Sequence, residues 1–530
     1  MNAKSLAFMA IAASFAAQVS AHDEDSNSAK QALGSVSLSN SCSKAVQQEF
    51  NRGVALLHSF WYSESEAAFR SVLAKDPSCA LAAWGAASIL MNNAIAGQGA
   101  SPAGAEQARA LLDQADRTPA RTQRERDYVE AVSAYYQDFG KHTERERQVA
   151  RAAAYEKLAA KYPKDDEAQI FYAVYLAATQ SLSDKSYASS LKAAGILEGQ
   201  FKKHPNHPGV AHYLIHSYDY PPIAQKGVDA ARRYSKIAPS APHAQHMPSH
   251  IFTRVGAWSD SALANERSMQ AATKAGDFDE AWHATDYMVY ANLQMARDNE
   301  ALAAWQRAQQ VMNVSPRFVG PYAITAVPAR IAVERGDWKA AAALDPRPSK
   351  FAFVDSMTHF ARALGAARTG NPQAAEEDVA AIGKLLGGLQ EAKNTYWATE
   401  VEVNGLAALA WTRFAQGQAN EAEERMRQAA DMEDKNDKHI VTPGRIVPAR
   451  GLLGDLLLEM KRPADALKEY EASQQREPNR FRGLNGAATA ALQAGDGVKA
   501  KRYYAQLVKV AGKGDPRPEL EAARKYLAAK

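Results

Sequence analysis

Apolar residues recur three and four positions apart along almost the whole of this chain, and no strand-like alternation persists. That periodicity predicts helix after helix. The pattern is sharpest over residues 448–478, which carry Leu453-Gly454, Leu457, Ala466 and Tyr470 before Pro478. Small residues at Gly454 and Ala466 let two helices approach closely, the Tyr470 ring fills the gap, and Pro478 stops the second helix. The next unit repeats this with Ala488, Gly495, Ala500 and Tyr504. Near the N-terminus Gly53, Leu56, Tyr62, Phe69 and Pro77 follow the same order, and residues 287–308 supply Ala296, Ala301 and Trp305. Weaker copies end at Gly336, Gly370 and Gly417, where glycine suits a turn between paired helices.

A helical hairpin repeated at this spacing is the tetratricopeptide (TPR) pattern. The expected fold is all-α: a TPR-like α-α superhelix, or solenoid, of roughly nine to eleven helical hairpins, given a period of about 34–40 residues. Such a stack has an extended concave face. Residues 96–104 are rich in Gly, Ala, Ser and Pro and read as a loop. Breaks at 314–321 and 345–348 divide an N-terminal and central solenoid, residues 41–313, from a C-terminal one, residues 322–530. Residues 433–444 read as a charged loop.

The first 21 residues have the features of a secretory signal peptide. Lys4 supplies the positive start, residues 7–19 are almost all apolar, and Val19-Ser20-Ala21 suits cleavage after Ala21. The mature protein is therefore expected in the periplasm, or secreted, with a polar, disordered segment over 22–40. No later stretch approaches the ~20 apolar residues of a membrane span. Lys and Arg number 63 against 59 Asp and Glu, a formal charge of +4. The two signs are interspersed, as solvated helix faces are, so no nucleic-acid partner is expected. Export permits a disulfide between the two cysteines, Cys42 and Cys79. Each precedes a predicted helix, over 43–59 and 80–91, and these would open adjacent repeats. Closing that loop would stabilise the fold by roughly 4 kcal/mol in the chain-entropy model. Two separate buried thiols are the alternative.

The concentrated chemistry is histidine. Seven of the 13 histidines lie within residues 204–250. His212 and His216 are four apart, as are His246 and His250, and the pairs are offset by 34 residues, one repeat period. His207-Pro208-Gly209 should open a helix running to about Tyr218, with His212 and His216 on one face. A second helix over 223–237 should lead to His243, His246 and His250. Imidazoles at this spacing recur as zinc ligands, and copper accepts the same donors. If both pairs face one hollow, His212, His216, His246 and His250 form a candidate metal set. Asp219, His283 and Asp286 are further ligands or acceptors behind the ligands. His243 and Tyr290 complete the candidate ligand-binding groove. Pro248 argues against a regular turn through His246. No His-Glu-x-x-His is present, so the base of a zinc protease is missing. A plainer reading has each ring capping a helix or filling a polar core. Arg445, Arg450, Arg480 and Arg482 read as solvated charges, or as a grip on a carboxylate or phosphate.

The run His-Pro-Gly-Val-Ala-His-Tyr-Leu-Ile-His from His207, followed by His-Met-Pro-Ser-His-Ile-Phe from His246, resembles an exported bacterial TPR-protein family. Residues 50–61 and 448–486 extend the likeness over most of the mature chain. The resemblance implies an all-α TPR solenoid with the histidines on first helices facing the groove, and it implies no established reaction. The family carries Trp-His where this chain has Leu90-Met91, one possible ligand fewer. Two functions are therefore expected. The first is a binding module whose histidine-lined groove holds a peptide, protein or small ligand, with or without a zinc or copper ion. The alternative is a metal-dependent hydrolase of the zinc type, with imidazoles holding an ion and a water.

Overall fold

The computed structural model describes residues 31–117, 121–315 and 317–529. The expected signal peptide, residues 1–21, and segment 22–30 lie outside them. Among the described residues helix follows helix, without a strand. Each helix packs on its neighbour in sequence: Gln47–His58 on Tyr62–Lys75, Ala80–Ile89 on Pro102–Arg117, and so on to Phe481–Gln493 on Gly497–Ala511. First helices of successive pairs also meet, as Ala352–Arg368 and Thr395–Ala415 do. The result is an α-solenoid of stacked TPR-like hairpins.

Rings wedged against glycines tie one hairpin to the next. A Cβ on Gly53 would lie 3.1 Å from the Phe69 ring, and one on Gly85, in the following hairpin, 2.4 Å. Tyr470 is held in the same way between Gly454 and Gly486, where added Cβ atoms would lie 2.8 and 2.3 Å from it. Both rings are buried, each contributing about 1.5–3 kcal/mol of apolar burial. Gly336, Gly370 and Gly417 take φ of +65, +80 and +80°, the left-handed conformation that closes a helix at little cost for glycine.

Three segments depart from the sequence reading. Residues 31–40 carry no helix but are not loose. Leu33 and Leu38 are buried, the Ser35 N–H donates to the Asn206 carbonyl (3.0 Å), and Arg124 donates to the Ser39 carbonyl (2.8 Å). The break at 314–321 is not a boundary between blocks. A helix already begins at Val319, and Val327 from beyond the break packs with Met269, Met288 and Ala301 from before it. Residues 435–448, between Ala419–Asp434 and Ala449–Glu459, form the expected charged loop over most of 433–444, but it is tucked in: Asp437, Lys438 and Thr442 are buried.

That last segment matters because the solenoid curls back on itself. The Trp258 indole N–H donates to the Asn479 carbonyl (2.7 Å), the Phe481 N–H to Gln294 (3.0 Å), and the Asp515 N–H to the Ala296 carbonyl (2.6 Å). The C-terminal hairpins thereby bring residues 435–448 over the histidine-bearing helices. At the other end Cys42 and Cys79 are joined by a disulfide.

Candidate metal centre

The histidines are set by short, proline-started helices. Pro208 opens Pro208–Tyr218, where the His207 ring accepts the Val210 N–H (3.3 Å). Pro242–His246 and Pro248–Arg254 follow one another through Met247. His246 and His250 thus come from two short helices rather than one, yet their Nε2 atoms meet at 2.9 Å. His283 projects from Phe278–Gln294, the first helix of the next pair.

Six rings make two adjoining triads. Nitrogens of His212, His216 and His243 lie within 4.8 Å of one another, and so do those of His246, His250 and His283. Ring centroids of His216 and His250 are 5.9 Å apart across the junction, and those of His243 and His246 5.8 Å. An ion bound at about 2.0–2.1 Å from each nitrogen needs donors no more than about 4 Å apart, which small ring rotations supply. The four expected rings, His212, His216, His246 and His250, divide between the two triads, and His243 and His283 complete two sets of three. His212, His246 and His250 are almost fully buried, and His216 and His283 nearly so.

The partners behind the rings decide where their protons sit. His212 Nδ1–H donates to the His58 carbonyl (2.7 Å), leaving a lone pair on Nε2, which faces His216 Nε2 at 3.1 Å. His246 Nδ1–H donates to Asn265 Oδ1 (2.6 Å), an orientation fixed because Asn265 Nδ2 donates to the Ser261 carbonyl (2.7 Å). His250 Nδ1–H donates to Asp219 (2.9 Å). His243 Nδ1–H donates to Glu280 (3.0 Å), and its Nε2 has no hydrogen-bond partner; neither have His216 Nδ1 and His283 Nδ1.

Burial disfavours a charge on His212, His216, His246, His250 and His283. It drives His212, His216 and His283 well below the usual imidazole range and His246 down to about 3, and neighbouring rings push in the same direction. Burial also lowers His250, although Asp219 opposes it. The carboxylates behind them stay ionised. Burial opposes the charge on Glu280, but the His243 ring beside it brings its pKa down to about 2. Burial likewise opposes the charge on Asp219, but Lys438 and Arg254 hold it well below the usual carboxylate range.

Asp219 is a hub rather than a free ligand. It accepts from His250 and from Arg254 Nε (2.8 Å), and Lys438 Nζ lies 3.9 Å away. Lys438 is buried and its Nζ has no hydrogen-bond partner; burial lowers its pKa to about 7. Asp286 points elsewhere, paired with Arg330 (2.8 Å), so it is neither ligand nor base for the rings. Tyr290 is outside the cluster too, against Trp258 and within 3.3 Å of Glu477. The four arginines of the C-terminal repeats grip carboxylates of the chain itself. Arg445 holds Glu400, Arg450 holds Asp434 and Glu469, Arg480 holds Glu334 and Glu477, and Arg482 holds Asp455.

A third group shows what a satisfied histidine cluster looks like. Glu167 accepts from His58 Nε2 (3.0 Å) and His207 Nε2 (3.0 Å), while the other ring nitrogens accept from Tyr213 and the Val210 N–H. Every nitrogen there has a partner. The cluster fixes His58, whose carbonyl in turn sets the His212 tautomer. Gly209 packs so closely that an added Cβ would lie 2.4 Å from the His58 ring.

A cleft of about 770 Å³ reaches His216 and Asp219, and its wall also includes Phe318, Tyr396, Trp397 and His439. Sequence reasoning missed Glu280, Asn265, His58, Arg254 and Lys438. Only His58 carried a signal, lying inside the family-like stretch 50–61.

No family model matches this chain, and no curated protein matches it in sequence. Among solved structures, the human IFIT1 dimer with PPP-AAAA is similar over 77% of this chain and 87% of that one, at 13% identity and a TM-score of 0.38. The human IFIT1 dimer with m7Gppp-AAAA is similar over 77% and 86%, with the same identity and TM-score.

Proposed function

We propose that this protein is a metalloprotein. The two triads, His212/His216/His243 and His246/His250/His283, each hold a transition-metal ion and perform metal-dependent chemistry at the foot of the cleft. One observation carries the reading. His246 Nε2 and His250 Nε2 stand 2.9 Å apart, and both rings already donate their proton from Nδ1, to Asn265 and Asp219. Two neutral lone pairs at that distance repel. A shared cation removes the repulsion, and the buried, unpartnered nitrogens of His216, His243 and His283 support the same assignment. The all-imidazole donor set suits zinc or copper. Three protein ligands leave a position for water or substrate on each ion.

The hairpin stack then serves as a rigid scaffold for the rings. The rings are mostly buried, and the cleft beside His216 is where a ligand enters. Export, expected from residues 1–21, would place the centre and the disulfide in one oxidising compartment.

Elemental analysis of the mature chain, purified without a histidine tag, tests this. We expect close to two equivalents of zinc or copper, fewer than half an equivalent in the His212→Ala/His246→Ala variant, and a raised melting temperature on reloading the stripped protein. A stripped protein that neither takes up metal nor gains stability would overturn the proposal.

A further inference from the structure

Two chemically different groups line the cleft: His216, Asp219 and Tyr220, and the rings of Phe318, Tyr396, Trp397 and His439, which stand partly exposed. The aromatic group is built rather than incidental. Trp397 is stacked on the buried Phe353 at 4.0 Å and 9°, so one face of the indole is backed. His439 lies 5.1 Å from Trp397 and Phe318 6.0 Å from His439. The Tyr396 hydroxyl donates to the Asp437 carbonyl (3.2 Å), holding its ring in place. Burial lowers His439 to about 4, so it is an uncharged ring at neutral pH.

The acidic groups on this space are already engaged: Glu144 is held by Arg147 and by the Tyr135 hydroxyl, and Asp219 by Arg254 and His250. Arg145 and Lys393 also line it, at exposed positions. The lining thus offers a ligand aromatic surface, polar side chains and the edge of the histidine centre. Rigid rings with an exposed edge or face attract another ring by offset or edge-on stacking. The volume falls within the range of about 300–1,000 Å³ typical of small-molecule sites.

We infer that the cleft takes a small aromatic molecule bearing a polar substituent, of the phenol class. Its ring packs on the Trp397, Phe318 and His439 wall, and its polar group points toward His216. The polar part of this inference rests on the metal centre proposed above; the aromatic part does not.

Phenol and cyclohexanol are the probes, because they share size and hydroxyl and differ in the ring. Both are titrated calorimetrically into the mature chain, and the metal content of the same preparation is measured. We expect phenol to bind at least tenfold more tightly than cyclohexanol. Trp397→Ala should weaken phenol at least fivefold, and Trp397→Phe should restore most of the loss. Phe318→Ala, a substitution in a connecting segment, should weaken phenol in the same direction and guards against misfolding of the Trp397 variant. Ring-selective binding by a preparation without metal supports this inference and counts against the metal centre alone. Equal binding of the two probes by a metal-containing preparation, or phenol affinity unchanged in both alanine variants, overturns it and leaves the metal centre standing.

Discussion

The acceptor behind an imidazole fixes which of its nitrogens carries the proton. His58 and His207 have every nitrogen partnered and converge on one carboxylate; His246 and His250 donate outward and turn bare lone pairs on each other. The outward partners should therefore govern metal affinity without touching the ion. Glu280→Ala removes the acceptor of His243 Nδ1–H. It should lower metal affinity about 10–100-fold, read by competition with a chromogenic chelator. Acid should act on the same rings. Between 6.5 and about 3 the unfolded chain binds a proton at residue 246 that the folded chain refuses, so stability falls as pH falls through that window. His246 alone accounts for about 3 kcal/mol by pH 4, at about 1.4 kcal/mol per pKa unit; His212, His216 and His283 add with the same sign. Denaturation of stripped protein at pH 7, 5.5 and 4.5 checks this, and a flat profile would contradict the buried neutral rings.

Local sequence carried the helices well. Pro208–Tyr218 begins after His207 and ends at Tyr218, as the proline and the apolar spacing require. The wedge of Tyr470 against Gly454 was legible because ring and small residue recur at repeat spacing. Its second contact was not: Gly486 belongs to the next hairpin and closes on the same ring. Gly486→Ala should place a methyl within 2.3 Å of Tyr470. Overpacking of this kind costs about 1–3 kcal/mol, seen as a lower urea midpoint, whereas Gly383→Ala, inside Pro372–Glu391 with open space around it, should raise the midpoint slightly. The candidate site was half legible for the same reason. The pairs His212/His216 and His246/His250 announce themselves by spacing within a helix. Glu280, Asn265 and the His58 carbonyl act across helices tens to hundreds of positions away, and nothing in their own neighbourhood marks them.

The curl of the solenoid explains why a segment rich in charge is buried. Residues 435–448 leave the C-terminal hairpins and close over the central helices at several points. The Asp437 N–H donates to the Leu182 carbonyl (3.0 Å), and the Tyr287 hydroxyl lies 2.9 Å from the Ile440 carbonyl and 3.0 Å from that of Thr442. Arg330 is the main clasp: it pairs with Asp286 and donates to Thr442 Oγ1 (2.8 Å), the Gly444 carbonyl (2.7 Å) and the Arg445 carbonyl (2.9 Å). None of these partners lies near Arg330 in the chain, so periodicity could not show that the segment is a cover. Arg330→Met keeps most of the side-chain volume and removes all five donors. It strands a buried Asp286, a loss of about 3–5 kcal/mol, and frees the cover without altering any of the six rings. Limited proteolysis should then cut within 435–448, and a chelator should strip metal faster than from the parent protein. If cleavage appears but the stripping rate is unchanged, the cover is only a brace between hairpins and the rings are shielded by their own helices.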